Sequence, residues 1–450
     1  MASRERNNDN GNAPVSRGRR FFKLAGMTAS VAGSYAKSKV RSMVGANDED
    51  AEAERWRQAG LMIAETLGEL KGAVMKVGQV ASQARDLLPP EIADALASLQ
   101  NEAPPMDFDV IARQIEREFG MSYDRLFRTF ETEPFAAASI GQVHRATMDD
   151  GRDVVVKVQY PGVDESCDSD LAHLRMAFRA SGILKVNRQA MNDMFEELRA
   201  RLHEELDYTN EAENVRLFRE FHASDEGLVI PEVVGERSSQ RILTMIHEPG
   251  DRVDHVDFAT YDQETRNLIG RRLFRMMVRQ VFDLQVVHGD PHPGNFAFRP
   301  DGTVVIYDFG CVKKLRPDIV SAYRDALRYG IAEDWDRVDD ALIALGARIP
   351  EHPPLGAEFY KPWRDLFFEP FASEGPYAFA GNDINQRFVK MAPRVLRYLD
   401  ALKPPVETMF IDRALGGHLH TMASLHVVED FGPAVRAVID GDPEALRALT

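Results

Sequence analysis

The chain has little cysteine. Its 450 residues hold only Cys167 and Cys311. One disulfide could not staple so long a chain, so a reducing cytosol is the default compartment. Long hydrophobic runs are missing as well. The longest nearly apolar stretch near the N-terminus, Leu24 to Ala36, is about half of what a membrane span needs. No apolar core followed by a small-residue cleavage site marks a secretory signal, and no internal repeat is visible. Positive charge is scarce: 55 Lys and Arg face 71 Asp and Glu, a formal net charge of −16. The net charge is unevenly distributed. Residues 1–44 carry Arg4, Arg6, Arg17, Arg19, Arg20, Lys23, Lys37, Lys39 and Arg41 against only Glu5 and Asp9. A basic arm on an acidic body argues against a broad nucleic-acid surface and permits contact with anionic lipid. A solvated tail is the plain alternative.

What is present is a globular composition, 44% hydrophobic and 28% charged, long enough for two or three lobes. Residues 1–20 are rich in Asn, Gly, Ser and Arg and read as disordered; Phe21 to Val44 reads as a short amphipathic helix. Leu67, Leu70, Val74, Val77 and Ala81 recur at helical spacing within a helix from about Ala53 to Leu87. Pro89-Pro90 stops that helix, Pro104-Pro105 breaks the chain again, and 107–128 reads as another amphipathic helix. The texture then changes to strands over Pro134 to Gln159, with Asp149-Asp150-Gly151 as a turn and Val154 to Val158 as a β-branched run. Long helices are expected over 168–184 and 190–222, and short strands near 228–231 and 241–246. A hinge at His247-Glu248-Pro249-Gly250 leads into a mostly helical remainder, with strands at 296–298 and 304–307. The expected fold is α+β: a small β-rich lobe, a hinge and a large helical lobe. The domain boundaries read as 1–50, 51–130, 131–248 and 249–450.

The densest motif is His288-Gly289-Asp290-Pro291-His292-Pro293-Gly294-Asn295. Thirteen residues after Asn295, the apolar run Val304-Val305-Ile306-Tyr307 ends in Asp308-Phe309-Gly310. This order of Asp, Asn and Asp matches a protein-kinase catalytic loop and metal-binding motif. Mg²⁺ takes hard oxygen ligands, which Asn295 and Asp308 offer, and Asp290 would orient a nucleophile or accept its proton. His288 and His292 invite a zinc reading, but no thiolate or third histidine stands near them. A kinase also needs a lysine for the α/β-phosphates and a carboxylate to fix it. Lys157 lies on the β-branched strand, and Asp207 and Glu211, four apart on one helical face, offer the acid. The phosphate loop departs from the kinase pattern. Ala136-Ala137-Ala138-Ser139-Ile140-Gly141-Gln142-Val143 has one glycine, and methyl groups stand where backbone should approach phosphate.

Taken together, Ala136 to Val143, Lys157-Val158-Gln159-Tyr160-Pro161-Gly162, Glu205-Leu206-Asp207-Tyr208 and the 288–295 motif resemble the UbiB family, also called ABC1, AarF or ADCK/COQ8. Lys76-Val77-Gly78-Gln79 resembles that family's KxGQ motif. The resemblance covers about residues 55–425. It implies an atypical protein-kinase-like fold with an N-terminal helical extension that lays Lys76 and Gln79 over the active site. It further implies that Glu205 and Asp207 support the metal, that Glu211 pairs with Lys157, and that the alanine-rich loop binds the nucleotide. ATP and Mg²⁺ are the implied cofactors, and ubiquinone or other isoprenoid-lipid metabolism the implied setting. Many bacterial members carry C-terminal membrane helices. Here 408–427 contains Asp412, Arg413 and three histidines, so the chain resembles the soluble or peripherally bound members, and the expected place is the cytoplasm or the inner face of the membrane. A homodimer remains open. Two other classes compete. A small-molecule kinase of the aminoglycoside or choline type needs an open acidic pocket, which the extension would crowd. A nucleotide-binding pseudokinase would have no need of Lys157, Glu211, Asp290, Asn295 and Asp308 together.

Overall fold

The computed structural model describes residues 106–442 apart from position 139, most of 164–205, residues 373–374 and 382–397, and position 404. The basic arm, the extension with Lys76 and Gln79, Ser139, Glu205, Cys167 and the expected helix over 168–184 fall wholly or mostly outside the described residues. The chain divides into two compact units. One holds the segments up to Asn210 and Val233–His247; the other holds Glu211–Glu232 and everything from Glu248 onward.

In the first unit the amphipathic segment forms helix α1 (Phe108–Phe119) and a single turn, α2 (Tyr123–Leu126). Gly120 separates them in the left-handed region at φ 67°, and its N–H returns to Glu116 O at 2.8 Å. Glycine reaches this backbone without a Cβ penalty, so the helix stops here. Strands β1 (Thr129–Phe130), β2 (Ala136–Ala138), β3 (Gly141–Thr147), β4 (Asp153–Gln159) and β6 (Ile242–Ile246) make one antiparallel sheet. Val154, Val156 and Val158 on one face of β4 are each 0% exposed, as are Ile111 and Ile115 at i, i+4 on α1, which packs on that strand. Each such side chain contributes roughly 1.5–3 kcal/mol by leaving water. The strand period of two places Val155 and Lys157 on the opposite, half-open face.

In the second unit, α3 (Tyr208–Phe221) continues from the first. One helix is expected over 190–222, but Leu206 and Asp207 are not helical. Asp207 Oδ1 accepts the Thr209 N–H at 2.9 Å, so Asp207 caps the helix and does not share a helical face with Glu211. β5 (Leu228–Val229) joins β9 (Val304–Ile306) in parallel and β9 pairs β8 (Phe296–Phe298) antiparallel. A second small sheet pairs β7 (Val286–His288) with β10 (Val312–Lys314). Helix α4 (Gln263–Arg279), capped by the Asp262 side chain on Thr265 N, ends in one turn of π-helix, Gln280–Leu284. Helices α5 (Pro317–Ile331), α6 (Trp335–Leu345), α7 (Gly356–Phe367) and α8 (Glu369–Ala372) come next. Near the end come β11 (Tyr377–Ala378), α9 (Val406–Ser424), β12 (Val428–Glu429) and α10 (Gly432–Asp440). Val281, Val287, Leu315, Phe410 and Ile411 form a buried cluster under β7 and β10. No helix among the described residues is long and apolar enough to cross a membrane.

Candidate functional site

Two strand pairs, one nested inside the other, assemble the motif residues of the second unit. β7 pairs β10 with His288 opposite Val312, and β8 pairs β9 with Phe296 opposite Ile306. The loop 289–295 and the segment 307–311 are therefore the two gaps between the same pairs, and they lie side by side. Backbone bonds stitch them: Gly289 N to Cys311 O at 2.8 Å, and Tyr307 N to Asn295 O at 3.0 Å. Asn295 is thereby bonded to Tyr307, the residue before Asp308.

Within the gap, Asn295 Nδ2 donates to Asp290 Oδ2 at 2.9 Å and to Asp290 O at 3.0 Å. Both partners are acceptors, so the amide nitrogen must face them and Oδ1 points the other way. Asp308 is half-buried, and its Oδ1 accepts the Gly310 N–H at 3.0 Å. Phe309 is fully buried against Phe218, with ring centroids 5.1 Å apart, and its carbonyl accepts Asn214 Nδ2 at 3.1 Å. Helix α3 thus addresses the Asp-Phe-Gly with Glu211, Asn214 and Phe218, an i, i+3, i+7 face. A Cβ placed on Gly310 would lie 3.4 Å from Asp308 Oδ1 and 3.8 Å from Glu211 Oε2. Two carboxylates converge on this glycine, and Glu211 is buried.

His288 serves the fold. Its Nε2–H donates to Asp308 O at 2.6 Å, and its backbone N–H donates to Gln280 Oε1 at 3.1 Å. The π turn at Gln280 thereby grips the strand entering the loop. His292 Nδ1 accepts the Gly294 N–H at 3.0 Å. Among the described residues no group of three or more His, Cys, Asp or Glu side chains could hold a metal alone. The donor set suits Mg²⁺: Asn295 Oδ1 and the Asp308 carboxylate are hard oxygens, and Mg²⁺ completes its shell with phosphate and water.

Behind the loop, His222 Nδ1 and Asp225 Oδ2 are 2.6 Å apart. Burial, the largest influence, holds the His222 pKa down, so the neutral ring donates to the carboxylate. Burial pulls the Asp225 carboxyl up, but the His222 hydrogen bond and Arg279 outweigh it and leave it lowered.

The remaining expected site residues lie in the first unit. Lys157 is on the half-open face of β4, with Nζ 5.0 Å from the Tyr208 ring centroid. The alanine-rich loop is a tight β2–β3 hairpin, with Ala138 opposite Gly141 and the half-buried Val143 opposite Lys157. Its one glycine meets the sheet: a Cβ on Gly141 would sit 2.3 Å from Val158 O. Ile140 is buried. The Gln142 side chain turns inward, its Oε1 accepting Met106 N at 3.0 Å and its Nε2 reaching His144 Nε2 at 2.9 Å. Gln142 can therefore offer a nucleotide only its backbone.

One contact of the loop has no motif to announce it. Arg413 Nη2 donates to Asp290 Oδ1 at 2.8 Å across 123 residues. In the sequence Arg413 stands out only as a charge that spoils a membrane helix.

The ABC1 atypical kinase-like domain matches residues 98–342. An uncharacterized protein of Synechocystis is 34% identical over 330 residues, covering 72% of this chain and 54% of that protein. The mitochondrial atypical kinase coq-8 of Caenorhabditis elegans is 30% identical over 362 residues, covering 79% of this chain and 47% of that protein. The chain thus spans about half the length of such curated relatives. Among solved structures, the Rv3197–erythromycin complex from Mycobacterium tuberculosis superposes with a TM-score of 0.61 at 26% identity, covering 86% of this chain and 97% of that one.

Proposed function

Because the chain belongs to the ABC1 atypical kinase-like family, we propose that it binds ATP with Mg²⁺ and hydrolyses or transfers the terminal phosphoryl group. The setting we infer is ubiquinone or other isoprenoid-lipid metabolism, with the protein peripheral on the inner, cytoplasmic face of an anionic membrane. The observation that carries this reading is that the loop holding Asp290 and Asn295 is stitched beside the segment holding Asp308, with the Asn295 amide turned so that its oxygen leaves Asp290. Asn295 Oδ1 and Asp308 would hold the metal, which neutralises the charge building on the phosphate oxygens. Asp290 keeps acceptor capacity on its carboxylate for the O–H of water or another acceptor. Lys157, steadied by Glu211, would take the α/β-phosphates, and the backbone of 136–143 would cover them. Glu205 and Asp207 would support the metal, and Lys76 and Gln79 would close the site from the N-terminal extension.

The test is steady-state ATP hydrolysis by the full chain, with and without vesicles of anionic phospholipid. Mg²⁺-dependent turnover that rises with the vesicles, and that Asp290→Asn and Asp308→Asn remove, is expected. Nucleotide binding with no hydrolysis under either condition overturns the reading in favour of a pseudokinase.

A further inference from the structure

We propose that Arg413 is a positioning residue of the phosphoryl-transfer centre, brought to Asp290 by close packing of α9 on the catalytic loop. The proposal rests on the phosphoryl-transfer function proposed for the chain.

The Asp290 carboxylate is held at both oxygens. Asn295 Nδ2 takes Oδ2 at 2.9 Å and Arg413 Nη2 takes Oδ1 at 2.8 Å. Asn295 comes from the loop itself. Arg413 comes from a helix outside every motif. A carboxylate held at one oxygen can still turn about its Cβ–Cγ bond; one held at both cannot. Each oxygen keeps a second lone pair, so the clamp fixes the plane of the group and leaves it able to accept a hydroxyl hydrogen.

The helix is built to deliver this contact. Phe410, Arg413 and Gly417 stand at i, i+3 and i+7, along one face of α9. They meet three successive loop residues. A Cβ on Gly289 would fall 2.7 Å from Phe410 Cδ1, and a Cβ on Gly417 would fall 2.3 Å from Pro291 Cγ. Only glycine at both places lets helix and loop come this near, and between them the guanidinium reaches Asp290. The pair is partly withdrawn from water, with side-chain exposures of 27% and 17%. That distinguishes it from the exposed ion pairs of this surface, which hold little geometry. Lysine is a poor replacement, because a flexible point charge lacks the planar donors that orient a carboxylate.

Positioning has a kinetic signature. Nucleotide should bind as before, while the fraction of Asp290 aligned for the reacting O–H falls. The experiment compares wild type, Arg413→Ala, Arg413→Gln and Arg413→Lys as full chains. It measures thermal midpoint, Mg-ATP affinity, and kcat and KM for ATP hydrolysis, with and without millimolar guanidinium chloride. Expected are Mg-ATP affinity and KM within about threefold of wild type, and a kcat about 10- to 100-fold lower in Arg413→Ala. Guanidinium should partly restore the Ala variant and not the bulkier Lys variant. A side chain that only stabilised the fold would lower the midpoint and show no rescue, and that result overturns the proposal. So does an unchanged or raised kcat in Arg413→Ala. If one variant fails to fold, the Gln and Lys variants carry the same comparison. A wild type that binds nucleotide without turnover fails the functional reading itself, and the proposal with it. Normal wild-type turnover beside unaffected Arg413 variants fails the proposal alone.

Discussion

Asn295 and Asp290 are joined twice, through the backbone carbonyl at 3.0 Å and the carboxylate at 2.9 Å, both from the same amide nitrogen. Asn295 is thereby a support for Asp290 as well as a candidate metal ligand, and its replacement should disturb both. Asp308→Asn should abolish the Mg²⁺-dependent part of the thermal stabilisation given by ATP, because it removes a charged oxygen from a site with few. Asn295→Ala should weaken that stabilisation without abolishing it. A thermal-shift titration of ATP with and without Mg²⁺ reads both. Undiminished stabilisation in Asp308→Asn would falsify the metal assignment.

The alanine loop yields a pair of contrasting outcomes. Ala138→Gly gives the strand end facing the β2–β3 turn more backbone freedom, and should change nucleotide affinity or the preference between ADP and ATP. Gly141→Ala should instead destabilise the first unit, by about 1–3 kcal/mol, because its methyl group meets Val158 O at 2.3 Å. Calorimetric nucleotide titrations and urea unfolding separate the two. Equal nucleotide affinities in wild type and Ala138→Gly would show that the alanines are no filter.

His418 ties stability to pH. Burial first, and then the nearby His288, hold its imidazole down to about 3. The folded chain keeps this ring neutral while the unfolded chain protonates it below about 6.5. The unfolded state therefore binds more protons in that window. The stabilisation is whole above about 6.5 and is lost as pH falls toward 3, at about 1.4 kcal/mol per pH unit for one group. Burial lowers the pKa of His144 and His222 too, so a general acid sensitivity should remain in any single variant. In His418→Gln the stability lost between pH 7 and pH 5 should shrink by about 2 kcal/mol. Urea midpoints at the two pH values measure it, and equal losses in both proteins would remove His418 from the account.

The basic arm lies outside the described residues, and its prediction rests on charge alone. Nine basic residues against two acidic ones over 1–44, at roughly 1 kcal/mol for each that reaches an anionic surface, give reversible attachment even if half engage. Phe21, Phe22, Leu24, Met27 and Val31 add a modest apolar face. The full chain should float with anionic vesicles at low salt and detach as salt rises. A chain starting at Asn47 should float poorly. Equal flotation of the two places the membrane contact elsewhere.

Much of the second unit's site was legible because strand, loop and turn residues are local signals. The 288–295 motif, the apolar run into Asp308 and the strands around them are found where the pattern put them. β7 and β10 were missed. Each is three residues long, and β10, Val312 to Lys314, has no buried residue to make a pattern. Asp207 was misplaced because its four-residue spacing from Glu211 mimics a helical face. An aspartate before a helix competes for backbone N–H groups and ends up as the cap. Arg413 was out of reach, since its meeting with Asp290 depends on how closely α9 packs, and spacing along one helix says nothing of what lies opposite. Gly417 and Gly289 were the available hints, as glycines with no turn to make.

The nesting of the two strand pairs bears on how such a chain can vary over time. The count of thirteen between Asn295 and Asp308 is set by a hairpin whose far end, Arg299 to Thr303, turns away from the chemistry and closes through Arg299 N to Thr303 O at 2.9 Å. Residues gained or lost at Pro300-Asp301 would lengthen or shorten the hairpin without moving either of its roots. The same change within 289–295 or 307–311 would break the register that joins Gly289 to Cys311 and Tyr307 to Asn295. Descendants of this sequence are therefore free to drift in length at one end of the hairpin and are fixed at the other. A search that insists on the number thirteen would overlook some of them.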